Sequence, residues 1–263
     1  METQAQPVYS TWIRVKKIRL FWILALLPVA VALLLMRVSP YFVWLALVSL
    51  PFLYIAVVIT LTARLFSEEG GGYQAKIHAL IIDSTEFSGR ILDIGCGSGH
   101  LAIRIAKKIA KTTANPVVGI DFWGDDWEYS HNQCATNAQT ERVSNTSFQK
   151  ASASKLPFEN GSMGTVVSCL TFHEVQDVVN KADSISEALR VLAPGGTFTF
   201  FDLFDDPQHF SGRESIRRAI AEQGGRITSE KRLSEILQLP FPLDTAKVLK
   251  YAVLVCGEKT LAV

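Results

Sequence analysis

The sequence predicts an α/β chain in which a doubly wound, mostly parallel seven-stranded sheet follows a helical hairpin. Three observations carry that expectation. Two long apolar runs occupy the first quarter of the chain. From residue 90 onward, short apolar strands alternate with helical patterns, as in successive βαβ units. The first of these strands ends in an acid and a glycine-rich turn that opens a helix, Asp93-Ile94-Gly95-Cys96-Gly97-Ser98-Gly99.

The apolar runs come first. Arg14, Lys16, Lys17 and Arg19 precede Leu20–Met36, which is broken only by Pro28, and Tyr41–Ala63 contains Pro51. Each run is near the ~20 residues that cross a bilayer, and proline is better tolerated there than in soluble helices. Spans are expected at about residues 18–36 and 41–63, with Trp12, Trp22, Tyr41 and Trp44 near their ends as interfacial anchors. The second run and the lack of a small-residue cleavage site argue against a signal peptide. Four basic residues lie before the first run and only Arg37 between the two, so the N-terminus is expected in the cytoplasm. Two crossings return the chain to that side, which leaves the sequons at Asn145 and Asn160 unused. The expected organisation is an anchor over residues 1–66, a Gly-rich linker over 67–72 and a domain over 73–263.

Within that domain a helix is expected from Tyr73 to Thr85, then strands over 90–94, 117–121, 146–150, 164–170 and 197–201. Helices fill 101–110, 129–140 and 182–191, with further helices over 216–221 and 229–237. Two last strands are expected near 246–249 and 252–256. The totals exclude other classes. With 26 Lys and Arg against 25 Asp and Glu, nothing points to nucleic acid as a partner. Cys96, Cys134, Cys169 and Cys256 form no Cys-x-x-Cys pair and the five histidines show no ligand spacing, so no metal site is expected.

The glycine turn allows φ > 0 and close approach of a ligand to the backbone. The helix behind it offers unpaired N–H groups and a positive dipole end. Its spacing is Gly-x-Gly-x-Gly, not the Gly-x-Gly-x-x-Gly of a pyrophosphate site. Asp121 ends the second strand, where a carboxylate beside the turn could accept both ribose hydroxyls. An adenosine ligand follows from this pairing; the enzyme class does not.

With Asp93 two residues before the first glycine, the turn resembles motif I of the class I S-adenosylmethionine-dependent methyltransferases, whose methionyl ammonium welcomes an acid. Three further segments extend the resemblance over about residues 73–259. Lys150-Ala151-Ser152-Ala153-Ser154-Lys155-Leu156-Pro157-Phe158 is similar to the segment that reads Gly-Asp-Ala and then Leu-Pro-Phe, with Ser152 where the adenine-binding aspartate would be. Ser168-Cys169-Leu170-Thr171-Phe172-His173-Glu174-Val175 resembles motif IV, and Pro194-Gly195-Gly196 the turn before strand five. The ubiquinone/menaquinone-type branch is the most similar.

The resemblance implies a Rossmann-like fold and S-adenosylmethionine held by Asp93, Gly95, Cys96, Gly97, Gly99, Asp121, Phe122, Ser152, Ala153 and Cys169. Trp123 is placed either on adenine or in ordinary packing. His173 is the candidate general base, and Tyr73, His173 and Asp202 are candidates for touching substrate, with Asp205 and His209 on the same edge. Glu174 is expected to be solvated or to start a helix, and His100 to lie in a helix's first turn. The basic cluster Arg213, Arg217, Arg218, Arg226, Lys231 and Arg232 is read as a solvated face, with anionic lipid as the alternative. The expected acceptor is a small, lipophilic or membrane-proximal molecule. The alternatives are a soluble or protein acceptor and a catalytically silent, membrane-tethered sensor or scaffold that binds the cofactor. A dehydrogenase fits the glycine spacing least.

Overall fold

The computed structural model describes residues 6–110, 115–124 and 127–261. These divide into two compact units, one made of residues 10–76 and the other of residues 6–9 with 77–261. The boundary falls inside a helix rather than at the Gly-rich segment.

The smaller unit holds α1 (Val15–Leu35), a 3-10 segment (Pro40–Val48) and α2 (Ser49–Phe66). Val15–Leu35 and Pro40–Phe66 are both long and apolar enough to cross a membrane, each with a mean hydropathy of 2.5. Three alanines face inward: Ala25, Ala32 and Ala56 are buried, while Leu20, Ile23, Leu26, Leu33, Leu50 and Tyr54 are exposed. A polar contact ties the helices where Trp22 Nε1 donates to Thr60 Oγ1 at 3.0 Å. Small residues at a seam with large apolar ones outside is the arrangement helices adopt in lipid. α3 (Tyr73–Asp83) follows.

The larger unit is a seven-stranded sheet ordered β3-β2-β1-β4-β5-β7-β6. Its strands are β1 (Ile91–Ile94), β2 (Val117–Asp121), β3 (Thr146–Lys150), β4 (Met163–Cys169), β5 (Leu192–Asp202), β6 (Gly225–Arg232) and β7 (Val253–Lys259). The helices are α4 (His100–Ile109), α5 (His131–Thr140), α6 (Ala182–Val191), α7 (Arg213–Glu222) and the single turn α8 (Leu233–Ile236). β1, β2 and β4 are apolar on both faces and buried, as parallel strands between helical layers must be. α6 and α7 present Ile185, Leu189, Ile216 and Ile220 to a core that holds Phe172, Phe198, Phe200 and Phe204.

The sheet is mixed: β7 runs antiparallel to both β5 and β6. Two expectations at the C-terminal end fail. Residues 229–232, read as helix, continue β6, and only Leu233–Ile236 are helical. Ser229-Glu230-Lys231-Arg232 has no apolar stripe to seat a helix, but as an edge strand it pairs with Val253–Cys256 and exposes Lys231 and Arg232. Residues 246–249, read as a strand, form turns after Pro240 and Pro242.

Candidate functional site

The chain leaves β1 toward β2 and β3, then returns to β4 on the other side of β1. The carboxyl ends of β1 and β4 therefore mark the topological switch point, the position at which open α/β sheets bind ligands. Register Asp93↔Gly119 places Asp93 and Asp121 on one face of the sheet, since alternate residues of a strand share a face. The two predicted carboxylates converge.

Gly95 has φ +77, and a side chain there would collide with Thr171, whose Oγ1 lies 1.9 Å from an ideal Cβ. Gly99 caps α4 at φ +82, a left-handed conformation that favours glycine. Thr171 braces the turn by donating to the carbonyl of Ile94 at 3.0 Å. Asp121 accepts from the Gly97 N–H at 2.9 Å and from the Trp123 N–H at 2.8 Å, and the Trp123 indole donates to the Gly97 carbonyl at 2.8 Å. Burial raises the Asp121 carboxyl, against the lowering effect of the Trp123, Gly97 and Phe122 N–H groups. A carboxylate has roughly four lone-pair sites, so capacity for hydroxyl donors remains.

Asp93 is 1% exposed. Burial pushes its carboxyl up to about 7; the backbone N–H of Ala102 opposes this and Asp121 adds to it. Its Oδ2 has no hydrogen-bond partner among the described residues. A buried, unsatisfied carboxylate oxygen beside a left-handed glycine turn fits a ligand with an ammonium and a ribose. S-adenosylmethionine is such a ligand.

The cysteines contribute less than expected. Cys96 turns its sulfur toward β2, where a Cβ on Gly119 would lie 2.9 Å from it, so this residue offers the turn only backbone. Cys169 is buried, and burial together with Asp93 and then Asp202 holds its thiol well above the ordinary range. It sits between the two halves of the site. Phe122 is 62% exposed beneath the Lys150 ammonium, and Ala153 packs into the core. Trp123 lies on the glycine turn in a left-handed conformation, φ +43. Tyr73 starts α3 in the hairpin unit, with the Lys76 ammonium 4.3 Å over its ring.

Ser152 is not alone. Its hydroxyl contacts Ser154 Oγ at 2.9 Å, and Ser154 Oγ donates to Asp177 Oδ2 at 2.6 Å. Ser152 Oγ also accepts the Ser154 N–H at 3.2 Å, and both serine hydroxyls hold the Asp177 carboxyl below its ordinary value. A carboxylate from a distant loop stands behind the serine that replaced one.

At the ends of β4 and β5, His173 Nδ1 lies 2.5 Å from Asp202 Oδ1. Asp202 is fully buried. Burial lowers the His173 imidazole, but Asp202, Glu174 and Asp206 outweigh it and the net shift is upward. His173 Nε2 lies 3.6 Å from Glu174, which is therefore not merely solvated, and the His209 ring centroid is 5.3 Å away. Leu170, just before this segment, holds φ +54, a strained conformation for a branched residue and one that gathers at functional sites. The His173–Asp202 pairing, Thr171 and Asp177 escaped sequence reasoning. The end of β4 and the end of β5 being neighbours was the available signal for the first.

Four of the six residues of the basic cluster pair with carboxylates. Arg213 Nη2 reaches Asp205 at 2.6 Å and Arg213 Nη1 reaches Glu230 at 2.9 Å; Arg217 also binds Glu230, Arg232 binds Asp205, and Arg226 binds Glu258. These three carboxylates offset part of the cluster's charge. Asp205 is accordingly committed to arginines.

A family model described as a methyltransferase domain matches residues 91–196. Among curated proteins, the chain is 28% identical over 121 residues to the ubiquinone/menaquinone biosynthesis C-methyltransferase UbiE of Geotalea daltonii, covering 46% of this chain and 48% of that protein. It is 31% identical over 148 residues to 27-O-demethylrifamycin SV methyltransferase of Amycolatopsis mediterranei, covering 56% and 50%. The chain thus spans about half the length of the curated relatives it matches. Geranyl diphosphate C-methyltransferase from Streptomyces coelicolor, solved with Mg2+, geranyl diphosphate and S-adenosyl-L-homocysteine, superposes with a TM-score of 0.56 at 14% identity, covering 71% of this chain and 79% of that one. SpnF, a cyclase, superposes equally at 17% identity, over 71% and 81%. These structural likenesses show the fold. Motif, sheet order and family match agree: residues 91–196 match a methyltransferase domain, and the glycine turn that binds S-adenosylmethionine in such domains lies within them.

Proposed function

We propose that this chain is a membrane-anchored S-adenosylmethionine-dependent methyltransferase acting on a small, lipophilic acceptor that carries a removable proton. The observation that carries the proposal is the His173–Asp202 pair, formed where the ends of β4 and β5 meet on the side of β1. When bound, S-adenosylmethionine supplies an electrophilic methyl group. Asp93 and Asp121 hold its ammonium and ribose, the left-handed glycine turn lets its backbone groups come close, and Ser152 accepts from adenine.

A hydroxyl or an acidic carbon needs a base before it attacks. Asp202 fixes the imidazole with its proton on Nδ1, which leaves the Nε2 lone pair to take a proton from the acceptor. The imidazolium so formed sits beside Asp202 and Glu174, both of which stabilise it. Burial of Phe172 and Cys169 around this point limits water. Two long apolar helices support a bilayer anchor, and an anchored enzyme is suited to acceptors that partition into lipid. Arg14 and the basic residues in the first turns of α1, Lys16, Lys17 and Arg19, support a cytoplasmic N-terminus and, after two crossings, a cytoplasmic methyltransferase domain.

The test is incubation of the purified full-length protein with methyl-labelled S-adenosylmethionine and a total lipid extract. Label in an organic-soluble product that disappears in His173→Asn supports the proposal. Label confined to water-soluble products or to protein contradicts the lipophilic acceptor.

A further inference from the structure

Residues 8 and 9 precede the apolar hairpin in sequence but belong to the larger unit. Their contacts converge on a single element, α5, and on the start of α4. The Val8 N–H donates to Asn137 Oδ1 at 2.8 Å, and the Val8 carbonyl accepts from Asn137 Nδ2 at 2.8 Å and from Gln133 Nε2 at 2.7 Å. One asparagine side chain thus pairs both backbone groups of Val8, as a neighbouring strand would. The second Nδ2 proton of Asn137 goes to the carbonyl of Ser98 at 3.0 Å. Asn137 is 1% exposed, so these bonds are shielded from competing water.

Tyr9 adds a second attachment. Its ring stacks on His100 with centroids 4.0 Å apart and planes 13° off parallel, and its hydroxyl donates to Glu141 Oε1 at 3.3 Å. Ser98 lies inside the glycine turn and His100 is the first residue of α4. The first attachment therefore ends on the Ser98 carbonyl and the second on the His100 ring, both in residues that follow Gly97. Hydrophobic burial does not explain the docking of Val8, whose side chain is 64% exposed. Closing a loop of more than 120 residues is unfavourable and must be offset by these specific contacts.

We propose that residues 8–9 are a strap that positions the glycine turn for cofactor binding, acting through Asn137 and His100. The turn holds three glycines at positive φ and is soft on its own. Docking Val8 fixes the Asn137 amide, which fixes the Ser98 carbonyl, while Tyr9 steadies the first residue of the helix whose N–H groups point at the ligand. A turn ordered beforehand loses less entropy when it binds. Val8, Tyr9 and Asn137 are positioning residues; none is assigned a contact to the cofactor. The proposal rests on the reading that this turn holds S-adenosylmethionine. It also means that removing the hairpin by N-terminal truncation removes the strap.

The experiment uses the full chain in detergent, as wild type, with residues 2–9 deleted, and as Tyr9→Ala and Tyr9→Phe. Hydrogen exchange without ligand follows the amides of residues 95–100 against those of β4 and β5, and calorimetry gives the S-adenosylmethionine Kd. Deletion is expected to speed exchange at residues 95–100 alone and to weaken binding by about fivefold or more, the worth of one or more hydrogen bonds. Tyr9→Ala should show a smaller loss, and Tyr9→Phe, which keeps the stacked ring, should recover most of it. A deletion variant that binds with the wild-type affinity overturns the strap. So does faster exchange spread equally over β4 and β5, which marks general destabilisation. A wild type that binds no S-adenosylmethionine, while residues 95–100 still loosen on deletion, sinks the cofactor reading and leaves the mechanical link standing.

Discussion

Asp202 Oδ1 lies 2.5 Å from His173 Nδ1 and also takes the Leu203 N–H at 2.7 Å, while Oδ2 takes the N–H groups of Thr171 and Phe172 at 3.0 and 2.7 Å. Three backbone donors pin the carboxylate, and the carboxylate pins the imidazole. An ion buried at 0% exposure is expensive unless so satisfied. Such an arrangement leaves one nitrogen for whatever binds there.

Replacing His173 by Asn should therefore lower turnover by about 10²- to 10⁴-fold, the usual worth of a general base, with the S-adenosylmethionine Kd nearly unchanged. Because carboxylates raise the imidazole above its ordinary 6.5, the wild-type rate should climb with pH through an apparent pKa above that value. In Asp202→Asn the residual activity should show that limb at lower pH. A flat pH profile in the wild type would remove His173 from the chemistry.

Asp93 predicts a stability signature. Its carboxyl titrates near 7 in the folded chain against 3.8 in the open one, chiefly through burial. The ligand-free fold holds a proton that the unfolded chain has already released, so stability falls as pH rises from about 4 to about 7. The loss is on the order of a few kcal/mol, reduced by any relaxation around the site. Asp93→Asn should flatten this slope and match or exceed the wild-type Tm at pH 8. Melting curves at pH 5 and pH 8 check this; an unchanged slope in the variant contradicts it.

Gly95→Ala should be costly twice over. The residue needs φ +77, and its new methyl would meet Thr171 Oγ1 at 1.9 Å. A loss of about 1–3 kcal/mol of stability is expected, with cofactor binding abolished because the turn must shift. Denaturant titration reads the first effect and calorimetry the second. Thr171→Ser in the same background relieves only part of the clash and should restore neither fully.

Asp177→Asn tests the serine pair. With the carboxylate gone, the two serine hydroxyls lose the group that orients them, and Ser152 becomes a weaker acceptor. S-adenosylmethionine affinity should fall by roughly three- to tenfold, in line with one weakened hydrogen bond to a charged group. Asp177 lies on the surface loop, so Tm should hardly move. An unchanged Kd would detach Asp177 from the adenine subsite.

Much of this was legible in the chain. Central strands such as Ile91–Ile94 and Val117–Asp121 announce themselves because parallel strands covered on both faces are apolar throughout. Asp93, the glycines and Asp121 were legible because strand-turn-helix geometry fixes where they meet. β6 was not, because Ser229–Arg232 carries no apolar pattern and is a strand only through its pairing with β7. Nor was the partnership of His173 with Asp202, 29 residues apart, which needs the β4/β5 register to bring their strand ends together. Asp177 behind Ser152 and Val8 against Asn137 are side-chain meetings between loops, where no periodicity exists to read.

Calorimetric titration of the full-length protein with S-adenosylmethionine at pH 8, beside Asp93→Asn, bears most directly on the ligand assigned to the glycine turn. Saturable one-to-one binding, weakened by about tenfold or more in the variant as a buried charged hydrogen bond is lost, is the expected result. No binding by the wild type, or equal affinity in the two proteins, would contradict it.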